Sequence, residues 1–321
     1  LGQGLASSVG MALAAKIQKK SHKIYCSVGD GCLMEGVAQE AIALAGLWKL
    51  DNLIVLWDNN EITIDGKTSI SSATNMKMRF EADGWQVLQC NGHDFMDIER
   101  VLTEAQKKDK PVLIDCKTII GFGTPTKAGT SAGHGSPLGA EEIAGLKQNL
   151  NWPYPAFEIP EDVLSDWRQA GRRMTSLEDK KQPLKIAFSL KKLMSEWVIE
   201  KPQLSTRKAG QMILESILKQ SSNVIGGSAD LGASNLTKTS LSKEIMPPEY
   251  QGNYINYGIR EHAMAAITNG LAADGGFVPY ASTFFVFSDY MRPSIRLSAL
   301  MKLHEVFILT HDFLIVCPMF F

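Results

Sequence analysis

Apolar residues fall along this chain in short runs separated by longer segments of helical spacing. Ile24 to Val28, Leu53 to Trp57, Trp85 to Gln89 and Pro111 to Lys117 read as buried strands, too short for helices and bounded by turn residues. Between them, Gly36 to Leu50, Arg79 to Gly84 and Asp94 to Gln106 carry helical spacing. Strands alternating with helices predict β-α-β units and therefore a doubly wound parallel sheet. The opening stretch is different. Gly2, Gly4 and Gly10 run into Ala12, Ala14 and Ala15, a helix of small residues whose simplest use is close packing. Its start also suits a phosphate, because free N–H groups there attract anions. The glycine spacing is not G-x-G-x-x-G, so a dinucleotide fingerprint is poorly supported.

The pattern changes from Asn149 to Lys201. Trp-Pro-Tyr-Pro is followed by charged sequence that reads as an exposed connector with one or two helices. A second α/β unit opens with an amphipathic helix from Ser205 to Leu218 and a strand from Val224 that ends in Gly226-Gly227-Ser-Ala-Asp230. A helix of small residues follows Tyr257, the aromatics at 284, 287 and 290 have helical i, i+3 spacing, and Val306 to Leu309 forms a last strand. The expected domains are residues 1–150, a connector over 151–200, and 201–321. The apolar tail Phe313 to Phe321 has no evident site role.

Composition narrows the class. With 45% hydrophobic and 21% charged residues the 321-residue chain reads as an ordinary soluble protein able to form two cored domains. A formal net charge of -1 offers no basic field for nucleic acid or a membrane surface. No run of about 18 apolar residues predicts a transmembrane helix, and no signal peptide is visible. The five cysteines are odd in number and lack CxxC spacing, which points to reduced thiols and a cytoplasmic location. The start at Leu1, without Met, suggests that the true beginning lies elsewhere.

Candidate chemistry gathers at two strand ends. Gly29-Asp30-Gly31 closes the first strand, and Asp58-Asn59-Asn60 closes the second. Two parallel strands joined by one helix deliver Asp30 and Asn60 to one sheet edge, where α/β folds bind ligands. A carboxylate and an amide are hard oxygen donors, suited to Mg²⁺ or Ca²⁺ held partly by phosphate. The pairing of Gly29-Asp30-Gly31 with Asn60 resembles the thiamine diphosphate signature. Gly-Asp-Gly-Cys-Leu-Met-Glu-Gly and Asn-Asn-Glu-Ile-Thr-Ile-Asp-Gly are similar to the transketolase family in particular. A second signature, Tyr257-Gly-Ile-Arg-Glu261-His-Ala-Met264, resembles that family's catalytic glutamate motif.

The resemblance implies two thiamine diphosphate-binding domains, the second incomplete, and a role for each matching residue. Asp30, Asn60 and the Ile62 carbonyl would hold Mg²⁺, with Ca²⁺ or Mn²⁺ as substitutes. Leu1 and Ile64 would flank the thiazolium ring, and Gly31, Glu35 and Asp230 would belong to the cofactor pocket. Glu40 would lie in the subunit interface. Phe287 would pack on the aminopyrimidine with Phe284 and Tyr290 beside it, and Glu261 would share a proton with that ring. His134 would serve diphosphate, substrate and proton transfer, while Arg207, Ser234 and His311 would bind the sugar phosphate.

The implied activity is transfer of a two-carbon ketol unit from a ketose phosphate, such as xylulose 5-phosphate, to an aldose phosphate through a thiamine ylid. That is a step of the pentose phosphate pathway. The implied assembly is a homodimer with the cofactor at its interface. A 1-deoxyxylulose 5-phosphate synthase-like enzyme is the near alternative; a non-catalytic remnant and a nicotinamide dehydrogenase are others. The family pattern stops after Asp312, which suggests an internal or frameshifted fragment whose remaining substrate histidines lie outside it.

Overall fold

The computed structural model describes residues 1–176 and 188–311; the tail read from Phe313 to Phe321 falls outside them. In chain order the elements are α1 (Gln3–Ile17), β1 (Ile24–Gly29), α2 (Asp30–Met34), α3 (Gly36–Leu47), β2 (Leu53–Asn59), β3 (Ile62–Thr63) and β4 (Gly66–Lys67). Then come α4 (Met76–Ala82), β5 (Gln86–Asn91), α5 (Phe95–Ala105), β6 (Val112–Lys117), α6 (Ala140–Asn149), α7 (Glu161–Ser176) and α8 (Lys191–Glu200). The remainder is α9 (Thr206–Leu218), β7 (Val224–Ser228), α10 (Gly232–Asn235), β8 (Tyr254–Asn256), α11 (Glu261–Asp274), β9 (Val278–Phe284), α12 (Ser288–Met301) and β10 (Val306–Thr310). By contacts the chain divides into two compact units. The larger takes Leu1–Asp58, Thr74–Cys116 and Ile186–Phe321, and the smaller takes Asn59–Ala73 and Lys117–Lys185.

The larger unit holds two parallel sheets. One has the order β1-β2-β6-β5, with β1 and β2 in register from Ile24 opposite Leu53 to Gly29 opposite Asp58. The other has the order β10-β9-β7-β8, and its β7 is buried along its whole length between β8 and β9. Helices α1 and α11 pack face to face, α1 also resting on β1 and α3 and α11 on β9. Both are buried over most of their circumference, which is why neither shows a narrow apolar stripe. Their small residues allow the contact. A Cβ at Gly10 would stand 2.1 Å from the Ile267 carbonyl oxygen, and one at Gly270 would stand 1.9 Å from that of Ser7. A side chain crosses the same seam, Ser7 Oγ donating to Ala266 O at 3.2 Å, and α12 is tied to α1 as well, Ser294 Oγ donating to Gln3 Oε1 at 2.9 Å.

Local differences from the sequence reading have local causes. Helix α4 begins at Met76 rather than Arg79, because Asn75 caps it by accepting from Met78 N at 3.0 Å. Trp85 stays outside β5; it packs edge-on to Phe80 and donates from Nε1 to Ile42 O at 2.9 Å. Gly29-Asp30-Gly31 is not a free loop: Gly29 ends β1 and caps α2, and Asp30 and Gly31 begin that helix. A Cβ at Gly29 would meet no protein atom within 4 Å, so these glycines are not demanded by crowding from the chain itself. Phe284 ends β9, and only after a 3-10 turn over Phe285–Phe287 does α12 begin.

The smaller unit is built around the β3–β4 hairpin, the long loop after β6, and helices α6 and α7. Its loop is pinned by Lys127 Nζ, which donates to Pro137 O at 3.2 Å and Leu138 O at 2.8 Å, and by Asn149 Nδ2 on Gly123 O at 2.8 Å.

Candidate active site

Parallel strands all end at one edge of their sheet, and the residues that follow them converge there. In the second sheet, β9 delivers Phe284 and the turn after it delivers Phe287. Their rings stack at 6.0 Å with an interplanar angle of 11°, and Tyr290 continues the row at 6.2 Å. His311 follows β10 directly. Its backbone is left-handed, with φ of 58°, and its ring lies on Phe284 with centroids 4.2 Å apart. Helix α9 places Arg207 in its first turn at the same edge, and α10 after β7 places Ser234 there. Arg207 Nη1 donates to Ser234 O at 3.4 Å and lies 2.9 Å from His311 Nε2. Arg207 and Ser234, assigned by resemblance to one phosphate, therefore meet the substrate histidine His311, although Arg207 and His311 are 104 positions apart. Asp230, just past β7, is exposed.

Glu261 opens α11 and is only 8% exposed. Burial pushes its carboxyl above the ordinary range, and its own backbone N–H and the Thr283 hydroxyl offset only part of that. Glu40, on α3, accepts from Ala263 N at 2.9 Å and so satisfies one free N–H of the same helix start. It too is raised, first by burial, with the nearby Glu261 acting in the same direction against the Ala263 N–H. Glu40 thus makes this contact inside a single chain. The pair is suited to holding a proton that isolated surface carboxylates would lose.

In the first sheet Asp30 is 9% exposed at the end of β1, and its Oδ1 accepts from Trp57 Nε1 at 3.1 Å. Beside it, a Cβ at Gly31 would come to ordinary contact distance of the Leu1 side chain, and the space over Gly29 is open. Glu35 is exposed, and Leu1 is 77% exposed. In the smaller unit, Asn60 Oδ1 accepts from Ile62 N at 3.0 Å, closing a local turn. Ile64 is 70% exposed, and His134 is exposed at the end of a short turn, its N–H donating to Ser131 O at 3.0 Å. Among the described residues no group of three or more His, Cys, Asp or Glu could hold a metal ion. Asp30 in the larger unit offers a buried carboxylate, and Asn60 and Ile62 in the smaller unit offer an amide and a carbonyl; each is a hard oxygen donor, of the kind that suits a hard cation and not a zinc centre.

Two residues that the sequence reading leaves without a role also belong to this edge. Thr310 Oγ1 donates to Asn235 Oδ1 at 2.6 Å and lies 2.9 Å from His311 Nδ1. Their only signal in the sequence is adjacency, Thr310 to His311 and Asn235 to Ser234.

The profile described as "Transketolase, thiamine diphosphate binding domain" matches residues 1–210, and "Transketolase, pyrimidine binding domain" matches residues 202–315. The chain is 46% identical over 341 residues to a transketolase of Rhodobacter capsulatus, covering 97% of this chain and 51% of the relative. It is 41% identical over 348 residues to transketolase 1 of Escherichia coli, with 97% and 52% covered. Among solved structures it is similar to transketolase from Campylobacter jejuni, with a TM-score of 0.82 at 40% identity, covering 97% of this chain and 52% of that one. It is also similar to Pichia stipitis transketolase in complex with sedoheptulose 7-phosphate, with a TM-score of 0.82 at 33% identity and the same coverage. The chain spans about half the length of the curated relatives it matches.

Proposed function

Because the chain belongs to the transketolase family, we propose that it acts as a transketolase, moving a two-carbon ketol unit from a ketose phosphate to an aldose phosphate. The observation that carries this reading is the meeting of Arg207, Ser234 and His311 beside the Phe284 ring. A guanidinium fork matches a phosphate, and a neighbouring imidazole suits a sugar oxygen. Thiamine diphosphate, when bound, supplies the carbanion chemistry that breaks and remakes a carbon–carbon bond beside a carbonyl. Asp30, Asn60 and the Ile62 carbonyl would hold Mg²⁺, or Ca²⁺ or Mn²⁺ in its place, on the diphosphate. Leu1, Gly31, Glu35, Ile64 and Asp230 would border the cofactor. Phe284, Phe287 and Tyr290 would seat the pyrimidine, and Glu261 would hold a proton on a ring nitrogen, for which its raised affinity for protons is suited. His134 would bind substrate and move protons.

We further propose a homodimer that shares the cofactor between subunits, in the cytoplasm. Four free cysteines among the described residues support a reducing location. No described helix is long and apolar enough to cross a membrane. A second reading is a chain that folds without turnover. Assay of this polypeptide with xylulose 5-phosphate, ribose 5-phosphate, Mg²⁺ and thiamine diphosphate separates the two. Cofactor-dependent formation of a seven-carbon sugar phosphate supports the enzyme; its absence with a folded, cofactor-binding chain supports the second reading.

A further inference from the structure

A one-way string of hydrogen bonds reaches the exposed end of β10 from the buried end of β7. Ser228 Oγ accepts from Leu231 N at 3.0 Å and from Asn235 Nδ2 at 3.5 Å. The Asn235 amide, which is 1% exposed, turns its Nδ2 toward Ser228 and its Oδ1 toward Thr310. An amide oxygen can only accept, so the single Thr310 hydroxyl hydrogen is committed to it at 2.6 Å. The contact of 2.9 Å between Thr310 Oγ1 and His311 Nδ1 then needs its hydrogen from the ring. From the other side, a guanidinium can only donate, so the contact of 2.9 Å between Arg207 Nη1 and His311 Nε2 needs a lone pair on Nε2. Arg207 thus demands a neutral ring with a lone pair on Nε2 and hydrogen on Nδ1, and Thr310 and Asn235 as placed agree with it. A tilted contact with Phe284, centroids 4.2 Å apart at 46°, supports the ring in the position where both contacts are made.

We propose that Thr310 is a positioning residue that, held by Asn235, keeps His311 in the Nδ1–H form, so that its Nε2 acts as an acceptor beside the Arg207 donor. This rests on the sugar-phosphate reading for its consequence. The edge selects a ligand that presents a hydroxyl hydrogen next to an anionic oxygen, the hydroxyl going to His311 Nε2 and the anion to Arg207. An imidazolium, with donors at both nitrogens, would set two donors face to face and lose the contact with Arg207.

The test uses the 321-residue chain labelled with ¹⁵N-histidine and two-bond ¹H–¹⁵N correlation spectra at pH 8 without ligand. The His311 signals are identified by their loss in His311→Gln. The expected wild-type spectrum shows a protonated Nδ1 and an unprotonated Nε2. Thr310→Val should let both tautomers appear, and Thr310→Ser should restore the wild-type pattern. An Nε2–H tautomer in the wild type, or unchanged shifts in Thr310→Val, overturns the proposal, and the wild-type spectrum decides this even where a variant fails to fold. Calorimetric titration then separates the consequence. Thr310→Val should bind inorganic phosphate within about twofold of wild type but ribose 5-phosphate roughly fivefold more weakly, the size of one neutral hydrogen bond. Equal effects on the two probes overturn the selection. Failure of the wild type to bind either probe, with the Nδ1–H form present, overturns the sugar-phosphate reading while supporting the positioning role.

Discussion

Glu261 and Glu305 show how one physical effect, burial of a carboxyl, acts at two places with different outcomes. Glu261 is the residue proposed to hold a proton on the cofactor, and removing it should stop turnover while sparing the fold. Glu261→Ala is expected to lower cofactor-dependent turnover about 100-fold or more, the usual scale of general acid-base assistance, with an unchanged far-ultraviolet circular dichroism spectrum. Near-normal activity would reject the assignment. Glu305, before β10, has no place in the proposed site. Burial pushes it from its ordinary 4.5 to about 7, with the Ser298 hydroxyl pulling only weakly the other way. Its folded form therefore keeps a proton that the unfolded chain has released. The stability it contributes is complete below about 4.5 and is lost as pH rises through about 7. Glu305→Gln should accordingly leave the melting temperature near pH 4 almost unchanged and raise it at pH 8. An equal shift at both pH values would refute the cause given. The sequence marks Glu261 through its motif, whereas Glu305 is an unremarkable acid until the fold surrounds it.

At the scale of elements, the packing of α1 on α11 decides whether the two sheets form one unit. The backbones approach closely because Gly10 and Gly270 leave room for each other's helix. Gly10→Ala would force its methyl against the Ile267 carbonyl, 2.1 Å away, with backbone that cannot step aside. Overpacking of this kind costs about 1–3 kcal/mol. Its exposed counterpart Gly4, where a Cβ would meet nothing within 4 Å, gains from alanine's helix propensity instead. Denaturant titration should show Gly10→Ala destabilised and Gly4→Ala unchanged or slightly more stable. The small-residue pattern of α1 is legible in the sequence as a helix made for close contact. Its partner is not, because α11 lies more than 240 positions away and nothing local names it.

At the scale of the whole molecule, cofactor and metal should bind as one event. The proposed set of Asp30, Asn60 and the Ile62 carbonyl would give a divalent ion too few ligands by itself, and a diphosphate lacks charge compensation without the ion. Calorimetric titration is expected to show thiamine diphosphate binding with Mg²⁺ present and at least tenfold weaker binding with the metal chelated; equal affinity would argue against the Asp30, Asn60 and Ile62 set. The linear sequence already determined the strand–helix alternation, the parallel sheets and both signatures, since strand length, helical periodicity and short motifs are local properties. Resemblance could also assign Arg207, Ser234 and His311 to one ligand. Only the tertiary structure decided that they touch, and in which hydrogen-bond direction, because Thr310 and Asn235 act through contacts between strand ends distant in the chain. It likewise decided which carboxyls are buried: the same side chain is ordinary in water and proton-retentive once apolar atoms replace that water.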